Sequence, residues 1–360
     1  MTSGAGVQPH VVVPEGFADP CRPSGGNVFD RRLVEELRRQ GRQVVVHEAA
    51  GRWPTPGRVA VESLADEVAR IPDGSVVLVD GLVASAVPEV LSPAGRRLRL
   101  VVLVHLPLGV GGPEGDPPPG AREREAAVLA ACSGVLTTSR WARGLLLDSY
   151  DLAPERVRVA EPGVDPAPLA AGPPGALLCV GAVIPGKGHD VLVRALAALT
   201  DLDWTCTCVG TLERDAAFVA EVRGLAEAGG VADRVHLRGA LTGRPLDEAF
   251  AWAGLLVHPT RGETFGMVLT EALARGLPVV ASAVGGVPEA VGRSADGRRP
   301  GLLVPPGDPA LLADALRRWL ARSDVRGRLG GAARERRTTL PGWDATAREV
   351  GGLLDDVAGH

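Results

Sequence analysis

"ALLCVGAVIPGKGHDVLVRALAALT" runs from Ala176 to Thr200. It reads as a short buried strand, a loop with three glycines, and an amphipathic helix opening near His189 or Asp190. The loop holds Lys187, the one lysine of the chain, against 38 arginines elsewhere. In a parallel sheet, ligands gather beyond the carboxyl ends of strands, where helix N-termini offer free N–H groups and partial positive charge. Lys187 is therefore placed to meet a phosphate. A compact ammonium in a chain that otherwise uses arginine points to a site needing a point charge rather than a planar fork.

Working outward, the same rhythm of strand, glycine turn and helix recurs on both sides. Downstream come "WTCTCVG" from Trp204, "RVHLRGA" from Arg234, "AGLLVHP" from Ala253 and "LPVVAS" from Leu277, each followed by a loop and a helical pattern. Upstream, "HVVVPEG" from His10, "RQVVVHE" from Arg42, "SVVLVDG" from Ser75, "RLVVLVHLPLG" from Arg99 and "GVLTTS" from Gly134 read the same way. Strands alternating with helices imply α/β architecture with parallel sheets covered by helices. The stretch "DPAPLAAGPPG", Asp165 to Gly175, holds four prolines and two glycines and reads as a linker. The expected organisation is an N-terminal domain over 1–165, a linker over 166–175 and a C-terminal domain over 176–340. A final helix over 341–360 has a partner that periodicity does not identify, and packing back on the N-terminal domain is one arrangement expected of it.

Composition narrows the function classes. A chain of 360 residues exceeds what one core usually organises, and 45% hydrophobic with 23% charged residues fits a globular protein. A formal charge of -4 gives no general attraction to nucleic acid or acidic membranes. "MTSGAGVQPH" lacks the features of a signal peptide, and no run of about twenty apolar residues follows, so a cytoplasmic setting is expected. The odd set Cys21, Cys132, Cys179, Cys206 and Cys208 lacks the spacing of a zinc site or disulfide framework. Cys206 and Cys208 alternate on one strand and are expected to share a face as buried thiols.

A second constellation is "HPTRGETFGMVLTEALARGLPVVAS", His258 to Ser282. Glu263 and Glu271 on one continuous helix would stand about 80° and about 12 Å apart, too far to serve one small site side by side. Gly262 and Gly266 favour a loop instead, with a helix from Gly266 or Met267 to Gly276. Glu263 then reaches a ligand from the loop and Glu271 from the helix. Such a helix start suits a diphosphate.

These stretches, with "VHLRGAL" and "GGVPEAV", resemble in order and spacing the retaining glycosyltransferases of family 4, glycosyl transferases group 1. The first half is similar more loosely, through "SGGNVFDRRLVEELRRQGRQVVV", "VLTTSRWARGLL" and "PGVD". The resemblance implies the GT-B fold: two Rossmann-like domains whose parallel sheets face across a cleft, the first binding acceptor and the second the nucleotide sugar. It implies transfer of a sugar from a UDP- or GDP-sugar to a hydroxyl of a small-molecule or lipid-linked acceptor, by same-face attack with retained configuration and without metal or other cofactor. Lys187 would neutralise the leaving diphosphate, Glu263 contact sugar hydroxyls, and Glu271 hold the ribose. Thr264, Phe265, Gly266 and Met267 would line the donor, the loop of Gly25 and Gly26 would close over the phosphates, and His105 would face the donor sugar. The chain departs from the family at Ala182, where an arginine commonly joins the lysine. That leaves three readings: Lys187 with helix N–H groups alone, another arginine such as Arg261, or an unusual donor. A relative that couples or isomerises the sugar without a glycosidic bond would also fit that departure; a non-catalytic sugar-nucleotide sensor is a further reading, against which the retention of Lys187, Glu263 and Glu271 argues.

Three weaker features are set beside these. "DLD" at Asp201 to Asp203 reads as a turn rather than a metal site. Gly109 to Gly120, "GVGGPEGDPPPG", is either a mobile lid or a surface loop. Trp53, Trp141 and Phe17 either line an acceptor pocket or pack in the core.

Overall fold

The computed structural model describes residues 8–19, 24–111 and 116–359; Cys21 and part of the Gly109–Gly120 loop lie outside them. The chain divides into two compact units, one of residues up to Gly163 plus those from Pro341, the other Val164–Leu340. The first unit begins β1 (His10–Pro14), α1 (Gly25–Arg39), β2 (Val45–Ala49), α2 (Arg58–Arg70), β3 (Val76–Asp80), α3 (Gly81–Ala84) and α4 (Pro88–Ala94). It continues β4 (Arg99–Val104), α5 (Ala121–Ala131), β5 (Gly134–Thr137), α6 (Arg140–Ser149) and β6 (Val157–Val159). The strands form one parallel sheet in the order β2-β1-β3-β4-β5-β6. Every residue of β3 and β5 is buried, because helices cover both faces and leave no polar side to alternate with.

The second unit runs β7 (Ala176–Val180), α7 (His189–Ala197), β8 (Thr205–Val209), α8 (Ala216–Ala228), β9 (Val235–Leu237), α9 (Arg244–Ala251) and β10 (Leu255–His258). Then come α10 (Met267–Ala274), β11 (Val279–Ser282), α11 (Val287–Val291), β12 (Gly301–Val304), α12 (Pro309–Ala321) and α13 (Ser323–Arg337). Its parallel sheet has the order β12-β11-β10-β7-β8-β9. That is the doubly wound dinucleotide-binding order, whereas the first sheet has the flavodoxin-like order with one strand added. One face of the second sheet packs Leu177, Cys179, Cys206, Cys208 and Val257 against α7, α8 and α12. The other packs Leu178, Leu256, Val279 and Ala281 with Phe265, Leu269 and Val287.

The last helix, α14 (Trp343–Ala358), returns to the first unit, packing on α1 and against β3, β4 and β5. Thr346 Oγ1 donates to the Glu161 carbonyl at 2.7 Å. The proline-rich stretch over 166–175, expected as a linker, is fastened to the second unit. Ala170 N donates to the Arg275 carbonyl at 2.9 Å and Ala171 N to that of Ala251 at 3.0 Å. Prolines keep this stretch out of helix and sheet, yet these two N–H groups find partners on a neighbouring backbone.

Cys206 and Cys208 lie on one buried face with their sulfurs 4.0 Å apart, and Cys132 and Cys179 are also buried free thiols. Asp201 of "DLD" is engaged by Arg317 at 2.6 Å, as an acidic turn residue beside a helix. At the start of the Gly109 loop, the amides of Leu108 and Gly109 donate to the buried Glu125 carboxylate at 3.0 and 2.8 Å. Phe17 is buried, Trp141 is exposed, and Trp53 donates its ring N–H to the Ala49 carbonyl at 2.9 Å. No helix among the described residues is long and apolar enough to cross a membrane.

Candidate active site

Each sheet reverses its winding at one place, and the chemistry-bearing residues gather there. In the second sheet the reversal lies between β7 and β10, neighbours from which the chain winds outward in opposite directions. The loop after β7 carries Lys187, and the loop after β10 carries Glu263. Lys187 Nζ meets Glu263 Oε2 at 2.7 Å, although 76 residues separate them.

His258, the last residue of β10, closes the cluster, with Nε2 3.3 Å from the same Glu263 oxygen. Sequence reasoning passed over this histidine; its place at the carboxyl end of the strand next to β7 was the available signal. The Glu263 side chain is 16% exposed and that of Lys187 30%. Burial would raise the Glu263 carboxyl, but the Lys187 ammonium and then His258 outweigh it and hold it down at about 2. A carboxylate depressed on folding stabilises the fold above its ordinary range near 4.5, and that stabilisation is lost as pH falls toward 2. Glu263→Gln is expected to remove up to about 3 kcal/mol of this acid dependence. Denaturant titrations between about pH 2 and 5 would read it as a flattened acid limb; an unchanged limb would refute the assignment.

The supporting loops are locked to one another. Arg261 makes a two-pronged contact with Asp190, at 2.8 and 2.7 Å, and also donates to the Pro185 carbonyl. Burial tends to raise the Asp190 carboxyl, but hydrogen bonds from Arg261 and Arg194 lower it. Arg261 thus ties the β10 loop to the β7 loop and to the first turn of α7. Thr260 Oγ1 donates to the Gly186 carbonyl at 3.0 Å and Arg261 N to the same oxygen at 2.8 Å. Gly188 opens α7 at φ +71°, and a Cβ there would fall 2.1 Å from the Pro259 carbonyl oxygen. Ala182 follows Gly181 at the end of β7 and presents only a methyl group.

The expected helix after "GETFG" is α10, opening at Met267 after Gly266 in the left-handed region. Neither α7 nor α10 has a side-chain cap; in α10 the Leu269 N–H turns back to the Gly266 carbonyl at 2.9 Å, while those of Met267 and Val268, and of His189 to Val191 in α7, take no partner among the described residues. Phe265 is buried with its ring in the core, Gly266 is buried, and Thr264 and Met267 are partly exposed. "GGVPE" explains itself by contact: a Cβ on Gly286 would stand 2.1 Å from the Thr264 carbonyl oxygen, and Gly286 N donates to the Glu263 carbonyl at 2.9 Å. Glu271, partly buried on α10, takes no side-chain hydrogen bond among the described residues, and burial raises its carboxyl above the usual range.

In the first unit the winding reverses between β1 and β3. Gly25 and Gly26, expected in a loop, form the first turn of α1, because Ser24 Oγ accepts from Asn27 N at 3.0 Å and caps the helix there. His105 follows β4, its ring against Gly26 and edge-on to Phe29, centroids 5.1 Å apart. Its Nε2 lies 2.9 Å from Asp30 Oδ1 and 3.5 Å from Asp80 Oδ2. Neither aspartate was singled out in the sequence; one is hidden inside "NVFDRRL" and the other ends "VVLVD". The predicted residues thus fall into two groups, Gly25, Gly26 and His105 on the first unit, and Lys187, Glu263, Thr264, Phe265, Gly266, Met267 and Glu271 on the second.

Comparison with known proteins bears on the family and the fold. The family profile described as glycosyl transferases group 1 matches residues 174–322. A D-inositol 3-phosphate glycosyltransferase of Frankia alni is 37% identical over 257 residues, covering 65% of this chain and 61% of that protein. The one from Salinispora arenicola is 35% identical over 269 residues, covering 66% and 58%. The chain therefore spans about six-tenths of the length of these curated relatives. Among solved structures, sucrose-phosphate synthase from Thermosynechococcus elongatus superposes with a TM-score of 0.78 at 24% identity, covering 96% of this chain and 98% of that one. Anabaena Alr3699/HepE in complex with UDP-glucose gives 0.77 at 18% identity, covering 97% and 99%. At these identities the structural likeness speaks for the fold. Residues 174–322 thus match the glycosyl transferases group 1, and the chain's two doubly wound units are those of the GT-B fold.

Proposed function

We propose that the protein transfers a sugar from a nucleoside diphosphate sugar to an acceptor hydroxyl with retention of anomeric configuration. The observation that carries this reading is the Lys187–Glu263 pair at the winding reversal of the second sheet, beside the uncapped starts of α7 and α10. When a glycosyl–phosphate bond breaks, positive charge grows on the sugar ring and negative charge on the departing phosphate oxygen. Lys187 and the helix N–H groups stabilise the phosphate side by preorganised charge, so this chemistry asks for no metal. Glu263, ionised over the whole physiological range, accepts from sugar hydroxyls. Glu271, lacking partners of its own, accepts from the ribose. The backbone of Thr264 to Met267 lines the donor, while Gly25, Gly26 and His105 are the first unit's contribution. Attack by the acceptor on the face the diphosphate leaves needs no protein nucleophile.

Titrating the protein with UDP, GDP and their sugars in a thermal-shift assay tests the donor. A ligand at a hundredfold excess over its Kd is expected to stabilise by about 2.7 kcal/mol. UDP-sugars lead the panel because solved structures of like fold hold UDP or UDP-glucose. Inositol phosphate belongs among the acceptors because of the curated relatives' names. Stabilisation by no member of the panel would refute the reading; an inverted product by NMR would refute retention, and loss of turnover on chelation would refute metal independence.

A further inference from the structure

Asp30 and Asp80 are each about 2% exposed on their side chains and converge on one imidazole. One ligand-capable atom from each of Asp30, Asp80 and His105 lies within 4.8 Å of the other two. If both carboxylates were ionised, this buried group would keep a net negative charge even with His105 protonated, and two like charges so close oppose each other's ionisation. One oxygen marks where the difficulty is resolved. Asp30 Oδ2 is buried and receives no N–H or side-chain O–H. Asp80 uses Oδ1 to accept from Leu82 N at 2.7 Å, leaving Oδ2 for the proton.

We propose that Asp30 and Asp80 are positioning residues that share one proton, Asp80 Oδ2–H donating to Asp30 Oδ2, and so hold His105 as an imidazolium that offers its Nδ1–H to a ligand oxygen at the carboxyl edge of the first sheet. Asp30 is then the ionised member, accepting from His105 on Oδ1 and from Asp80 on Oδ2. The three groups sum to zero charge and no oxygen is orphaned. Titration points the same way. Burial, and next Asp30, push the Asp80 carboxyl up to about 7. Burial would lower the His105 imidazole, but Asp30 and then Asp80 raise it above its ordinary value. The charged groups acting on His105 are Asp30 from α1 and Asp80 from β3; the uncharged Gly26 and Phe29 also lie against the ring, which keeps 16% of its surface exposed. Nδ1 takes no hydrogen bond among the described residues.

The role of Nδ1–H toward a sugar or acceptor oxygen rests on the glycosyltransferase reading, but the proton arrangement is measurable without substrate. NMR titration of the His105 imidazole in the full chain is expected to place its deprotonation above that of free histidine. Asp80→Asn should keep it there, since an amide N–H can replace the shared proton, and Asp30→Asn should drop it below. Infrared spectra at about pH 5.5, where exposed carboxylates are ionised, should show a buried carboxylic-acid carbonyl band that Asp80→Asn abolishes. The infrared band and the Asp30→Asn titration keep the test open if Asp80→Asn fails to fold. Ordinary or lowered titration of His105, equal effects of the two variants, or no acid band in the wild type would each overturn the proposal. In turnover assays, the limb of kcat/KM that reports His105 should move to lower pH in Asp30→Asn. An unmoved limb beside a shifted NMR titration would overturn the ligand role and leave the proton pair standing.

Discussion

Lys187→Ala is expected to lower kcat by about two or more orders of magnitude, the loss typical of removing one preorganised donor to an oxyanion. The ion pair complicates the experiment in a useful way. Truncating Lys187 leaves Glu263, only 16% exposed, without its nearest cation, and His258 alone is a poor replacement. Stability should fall as well, because an uncompensated buried charge costs more than the pair contributed. Lys187→Ala combined with Glu263→Gln separates the two effects: the double variant should regain stability while turnover stays low. Turnover by Lys187→Ala within a few-fold of wild type would sink the leaving-group role. Recovery of turnover in the double variant would show that the single variant had failed through its unpaired carboxylate.

The second large effect is expected at Gly188. A side chain there faces two penalties: a φ of +71°, which L-residues adopt at a cost, and a Cβ 2.1 Å from the Pro259 carbonyl oxygen. That oxygen belongs to the β10 loop, which Thr260 and Arg261 fasten to Gly186 and Asp190, so the clash cannot be relieved by moving a flexible side chain. Gly188→Ala is expected to cost about 2 to 4 kcal/mol and to abolish donor-induced stabilisation in the same thermal-shift assay. Wild-type stability would mean that the approach of these two loops is looser than the structure has it.

The alternation of buried runs with helical patterns was enough to read both sheets as parallel, because strands buried on both faces show as unbroken valine and leucine. "PGKG" and "GETFG" marked their loops for a similar local reason: glycines sit where the backbone turns tightly or another backbone comes close. The companions of these loops were not legible. His258, Asp30 and Asp80 each sit at a strand end or inside a helix with no motif around them, and only the folding order of the strands brings them to Glu263 or His105. Arg261 was weighed as a phosphate ligand because sequence gives a charge but not its partner, and Asp190 is reached only through tertiary contact. The segment over 166–175 misled in the opposite sense, since proline content reports the absence of regular structure and not the absence of packing.

A chain with a single ε-amine, held 2.7 Å from a carboxylate, comes with its own reporter. Reductive methylation with isotopically labelled formaldehyde would place one side-chain probe in this chain, at Lys187. Its chemical shift would follow exchange of Glu263 for an incoming diphosphate, and the rate at which the amine is modified would measure how often the pair opens. No cysteine mutagenesis or unnatural amino acid is needed to watch the site fill.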